Sequence, residues 1–151
     1  MAVRIIRKTD DPVLRKTAKQ VQEITPVILK LLDDMQETMD AAQGIGLAAP
    51  QVGIQKRIFV IRTGKNDVLE LINPEIVTTT GEETDVEGCL SFPGLYGEVA
   101  RAQEVEVAGL NREGKRIVVR GTGLLARALQ HEFDHLDGIL FVDKVSKYVD
   151  D

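Results

Sequence analysis

Two histidines occur in the chain, His131 and His135. They stand four apart with an acid between them, in Gln130-His-Glu-Phe-Asp-His135. For two histidines placed at random, that spacing with an adjacent glutamate arises on the order of once in a thousand trials. On a helix of roughly 3.6 residues per turn, positions i and i+4 lie one above the other, so both imidazoles reach a single metal ion. The plainer reading, two core histidines bonded to backbone carbonyls, leaves Glu132 unexplained. Two imidazoles hold an ion poorly, and a third ligand is needed. Downstream of His135 only Asp137, Asp143, Asp150 and Asp151 offer one, and none has a motif context. Upstream, the single cysteine, Cys89, stands in Glu87-Gly-Cys-Leu-Ser91, flanked by glycine and serine. A lone cysteine is ordinarily a small buried hydrophobe; here its thiolate would complete a set of two nitrogens and one sulfur.

Three protein ligands leave one coordination position for water, which marks a catalytic site and not a structural one. A metal lowers the pKa of that water towards neutrality. Glu132 is placed to take its proton and return it to a leaving amine. That is amide hydrolysis, and its tetrahedral intermediate needs hydrogen-bond donors for the oxyanion. Gly44-Ile-Gly-Leu-Ala-Ala-Pro-Gln-Val-Gly53 lacks the glycine spacing of a dinucleotide fingerprint. It reads as a small-residue loop that lets backbone approach a ligand, or simply as a helix stop and tight connection. Gln51 is its one uncharged side chain able to donate hydrogen bonds.

These residues need a scaffold. Composition is that of a globular chain: 151 residues, 43% hydrophobic and 28% charged. Apolar runs reach four residues, at 58–61 and 139–142, against the roughly 20 of a membrane span. Residues 1–11 hold no apolar stretch long enough for a secretory signal. A net charge of −5 and no tryptophan disfavour general nucleic-acid binding. One cysteine closes no intrachain disulfide, in keeping with a reducing compartment. The expectation is a cytoplasmic protein with one domain over 1–151.

Thr25-Pro26 is a helix start, followed by Ile28, Leu31, Leu32, Met35 and Met39 as a buried stripe ending before Gly44. Asp11-Pro12 opens a shorter helix. Strands are expected at 57–62, 68–72, 75–79, 99–110 and 116–120, with Asn73-Pro74 as a breaker and residues 111–114 as a hairpin loop. A last helix spans 124–136 and stops at Gly138. On its wheel Leu125, Leu129, Phe133 and Leu136 form the apolar arc. Leu124, Ala128, His131 and His135 flank it, while Arg127, Gln130, Asp134 and Asp137 turn towards solvent or another element. Helix, strands, helix is an α+β order.

Gly44-Ile-Gly-Leu-Ala-Ala-Pro-Gln51, Glu87-Gly-Cys-Leu-Ser91 and His131-Glu-Phe-Asp-His135 resemble the three signature motifs of the peptide deformylases, in the family's order and spacing. The similarity extends to the short helix from Asp11, to Ile72-Asn-Pro-Glu75 and to Gly123-Leu-Leu125. The resemblance implies removal of the formyl group from nascent peptides beginning with formylmethionine, with release of formate. It implies metal ligation by Cys89, His131 and His135, acid/base work by Glu132, and oxyanion donation by Gln51 and the Leu90 backbone amide. Ferrous iron is the usual ion in that family, with nickel, cobalt or zinc also accepted. The implied fold wraps strands around a central helix bearing the metal histidines. Ile45, Leu124 and Ala128 are candidates for the pocket of the methionine side chain, and backbone near Gly46 for pairing with the substrate chain. A transient ribosome contact is also implied, though only 16 residues follow His135, fewer than the longer C-terminal helix of some members needs. Arg127 brings a charge near the pocket.

Two other functions compete. A small H-E-x-x-H metallopeptidase would take its third ligand from a downstream His or Glu. A non-catalytic metal-binding module would have no use for Glu132 or Gln51.

Overall fold

The computed structural model describes residues 2–150. Helix α1, Pro26–Ala41, starts where Thr25 Oγ accepts the Ile28 N–H, with Pro26 in the first turn. Its stripe of Ile28, Leu31, Leu32, Met35 and Met39 is buried against Leu47, Ile58, Val60 and Ile72. Asp34 and Thr38 are also buried on this helix, bonded to the extended N-terminal segment. The Asp11 start is a single 3-10 turn, Pro12–Arg15, capped by the Asp11 carboxylate.

Five strands form one antiparallel sheet: β1 (Gly46–Ala48), β2 (Ile58–Gly64), β3 (Asp67–Thr80), β6 (Glu104–Leu110) and β7 (Arg116–Thr122), in the order β1-β2-β3-β6-β7. A second sheet holds β4 (Glu83–Cys89), β5 (Phe92–Arg101) and β8 (Val145–Val149), in the order β4-β5-β8. Helix α2, Gly123–Leu136, buries Ala126, Leu129 and Leu136 against Phe59, Ile61, Leu71, Val105 and Val107 of the larger sheet. Its opposite side reaches the smaller sheet through Arg127, which bonds Glu87 and the Val99 carbonyl. The strands thus fold around the helix that carries both histidines, as an α+β protein.

Several boundaries differ from the sequence-based expectations. Asn73-Pro74 does not break the strand. β3 runs through it because Asn73 takes φ +52° and the register shifts between Ile72 and Glu75. The Asn73 carboxamide meanwhile accepts the Val21 N–H and donates to the Val21 carbonyl, at 2.8 and 2.9 Å, so the irregularity is tied down. The stretch expected as one strand at 99–110 is split into β5 and β6. At the break Ala102 exchanges two hydrogen bonds with the Gln130 carboxamide, both 2.9 Å, in place of a sheet neighbour. The segment 44–53 is more than a loop: it holds β1 and a 3-10 turn, Ala49–Val52, closed by Gly53 at φ +83°.

Candidate active site

Three elements converge. α2 presents His131 and His135 on one face, four residues and one turn apart. β4 ends at Cys89, which pairs with Phe92 across a tight reversal, so the thiol sits at a strand end facing the helix. Cys89 Sγ lies 3.4 Å from His135 Nε2. One ligand atom each from Cys89, His131 and His135 falls within 4.8 Å of the others. Two imidazole nitrogens and a sulfur suit a borderline or soft divalent ion and not calcium or magnesium, which prefer oxygen. Glu132 Oε1 is buried beside them without a hydrogen-bond partner among the described residues, and so is His135 Nδ1. A buried acceptor left open at such a centre fits a site built for a metal and its water.

The surrounding charges hold the histidines. Glu87, 4% exposed at its side chain, accepts from His131 Nδ1 at 2.9 Å and from Arg127 Nη1 at 2.6 Å. It also receives both the Nε and Nη2 protons of Arg101. With Nδ1 engaged, Nε2 is the His131 nitrogen free for a metal. Burial alone would raise the pKa of Glu87, but the hydrogen bonds from His131 and Arg101 outweigh it and bring it to about 2. Burial likewise pulls His131 down, while the neighbouring Cys89 and Glu87 raise its pKa, so a metal would have to displace a proton from Nε2. His135 is pushed well below its usual value by burial and the positive charges of His131 and Arg101. Burial pushes the Glu132 carboxyl up to about 7, against the opposing pull of His131 and Arg101.

Sequence reasoning missed Glu87 and Arg101 as members of this network, and it turned Arg127 outwards. Arg127 does leave the apolar arc, but for another element and not for water. It is 8% exposed and donates to Glu87, to the Val99 carbonyl and to the Glu83 carbonyl. Its charge is therefore matched inside the protein. The signal that could have found the network was the buried acid beside the cysteine, since a metal-bound histidine commonly donates its second nitrogen to a carboxylate.

A cleft of about 460 Å³ opens over this centre. Of the expected site residues, Glu132, Gln51, Leu90, Cys89, His131, Ile45, Gly46, Leu124 and Ala128 line it, and His135 lies behind. Phe92, Pro93 and Tyr96 add apolar surface that the sequence did not point to. Ile45 and Leu124 are well exposed, at 48% and 66%. Among the described residues β1 pairs with β2 along one edge only, and its Gly46 end borders the cleft. Gln51 is buried in the 3-10 turn, its Oε1 accepting the Ala48 N–H at 2.9 Å.

A helix carrying two imidazoles, a cysteine sulfur from a neighbouring strand and a buried glutamate at a cleft define a metal-dependent hydrolase. The sequence pattern of the family described as "Polypeptide deformylase" matches residues 3–150. A peptide deformylase of Alkaliphilus metalliredigens is 60% identical over 147 residues, covering 97% of this chain and 99% of that one. A peptide deformylase of Carboxydothermus hydrogenoformans is 56% identical over 149 residues, covering 99% and 97%. The solved peptide deformylase of Thermotoga maritima superposes with a TM-score of 0.93 at 43% identity, covering 97% of this chain and 99% of that one. That of Legionella pneumophila gives 0.94 at 47%, covering 96% and 87%. The chain belongs to the peptide deformylase family.

Proposed function

We propose that this protein removes the formyl group from the N-terminal formylmethionine of nascent peptides and releases formate. The observation that carries the reading is the meeting of Cys89, His131 and His135 within 4.8 Å at a cleft that Glu132 and Gln51 also line. A divalent ion held by that set supplies Lewis acidity and a water of lowered pKa. Ferrous iron is the ion we assign, with nickel, cobalt or zinc able to take its place; the nitrogen and sulfur donors accept all four.

Glu132 takes the proton of the attacking water and delivers it to the departing amine of methionine. Its burial raises its pKa above the ordinary carboxylate value, which suits one carboxyl to serve as base and then as acid. The Leu90 N–H and the Gln51 Nε2–H donate to the formyl oxygen as charge develops on it. The free edge of β1 at Gly46 pairs with the substrate backbone as an added strand. Ile45, Leu124 and Ala128 receive the methionine side chain. The substrate arises at the ribosome, so the enzyme acts in the cytoplasm, in transient contact with ribosomes, as one metallohydrolase domain over 1–151.

The metallopeptidase reading needs a downstream ligand, yet the group formed in the structure takes Cys89 instead. Formate release from a formyl-Met peptide, beside metal analysis of anaerobically purified protein, tests the proposal. Cleavage of internal peptide bonds without formate would overturn it.

A further inference from the structure

The Gln51 carboxamide is fixed on three sides. The Ala48 N–H, an obligatory donor, faces one end of it at 2.9 Å, so that end is the oxygen and the amide cannot be flipped. The Nε2 end donates to Ser91 Oγ at 3.0 Å and lies 3.6 Å from Cys89 Sγ. One of its two protons is therefore spent on Ser91. The other is directed to Cys89 Sγ by a long contact, weak enough to be given up to a substrate oxygen that gains charge beside that ligand. Ser91 is fully buried and does not line the cleft. It cannot touch substrate.

A second tie joins the same two residues through their main chains. The Arg7 N–H donates to the Gln51 carbonyl at 2.7 Å, and the Thr9 N–H to the Ser91 carbonyl at 2.9 Å. One short N-terminal segment thus spans both residues, and Thr9 takes φ +52° in doing so. Gln51 and Ser91, 40 positions apart, are bound side chain to side chain and backbone to strap.

We infer that Ser91 is a positioning residue for the reaction: its hydroxyl, with the Arg7–Thr9 strap holding the two backbones in register, aims the remaining Gln51 N–H at the developing oxyanion. The inference rests on the deformylase reading and on the role of Gln51 within it. Loss of the Ser91 hydroxyl leaves the Nε2 end without its buried acceptor, steadied only by the Ala48 N–H at the other end and the long contact to Cys89, so transition-state stabilisation falls while ground-state binding does not.

The test is a double-mutant cycle on the metal-loaded enzyme, with formate release followed against peptide concentration and metal content measured in each protein. Ser91→Ala is expected to retain its metal and its KM within about threefold while kcat falls about 10- to 100-fold, short of the 10²–10³ lost with a whole oxyanion donor. In a Gln51→Ala background the same change should cost less than about twofold, because the residue it acts through is gone. Ser91→Cys, close in size and a poorer acceptor, replaces the alanine variant if that one does not fold, and is read by the same criteria. Full kcat in the Ser91 variant, or an equal loss in both backgrounds, overturns the inference alone. No formate from the unaltered enzyme would overturn the deformylase reading and this inference with it.

Discussion

Gly46 and Glu132 are fitted to each other: a Cβ built on Gly46 would stand 2.5 Å from Glu132 Oε2. The backbone of β1 and the acid of α2 occupy space that any side chain at position 46 would contest. Gly46→Ala should therefore displace the carboxylate without touching the metal ligands. A 1 Å misplacement of a reacting group can cost about 10²-fold, and a fall in kcat/KM of that order is expected, with metal content unchanged. An alanine variant as active as the parent would show that Glu132 tolerates movement.

Glu132→Gln removes the proton acceptor and keeps the shape. Metal should stay bound, since Glu132 is not in the ligand group, while turnover on formyl-Met peptides should fall at least about 100-fold, the usual scale of general acid–base catalysis. Parent-like turnover in the metal-loaded variant refutes the assigned role.

Helical spacing made His131, Glu132 and His135 legible as one constellation, and the shortage of a third ligand drew attention to Cys89. The network behind them was not legible. Glu87 and His131 meet across 44 positions, Glu87 and Arg127 across 40, and no local periodicity encodes such a meeting. β4 was missed because Glu-Thr-Asp-Val-Glu-Gly-Cys is acidic and offers few of the β-branched residues that advertise a strand. Its pairing with β5 and the arginines behind Glu87 supply what its composition lacks. The Asn73-Pro74 break failed for a related reason: the Asn73 side chain met a distant backbone, that of Val21. The helices were better read, because capping at Thr25 and the stripe of α1 are local properties.

Arg127 braces α2 to the smaller sheet. Arg127→Met would keep most of the aliphatic stem but leave the Val99 and Glu83 carbonyls without this donor, and Glu87 without its second arginine. Breaking one partner of a buried charged network costs about 3–5 kcal/mol. Because Glu87 retains Arg101, a loss of about 2–4 kcal/mol in urea unfolding is expected. A change below about 0.5 kcal/mol, the range of ordinary surface substitutions, would show that the brace contributes little.

Stability should also depend on Asp34. Burial alone would raise its pKa, but hydrogen bonds from Lys30, the Ala2 N–H and Arg4 prevail and bring it to about 2, below the ordinary 3.8. A carboxyl depressed in the folded chain stabilises it above the unfolded pKa, and that contribution fades as pH falls from about 4 towards 2. Thermal unfolding should thus show Asp34→Asn less stable than the parent at pH 7, with the gap narrowing at pH 3 as the parent loses this term. A gap that is constant between those two pH values contradicts the assignment.

The most direct measurement of the central claim is formate released from a formyl-Met peptide by anaerobically purified protein, before and after chelation and again after adding back a divalent ion. The account predicts one formate per peptide, loss of the activity with the metal and its return on reloading, with Cys89→Ala failing to recover. Release that continues unchanged without metal, or a Cys89→Ala protein that binds metal and works as well as the parent, would contradict it.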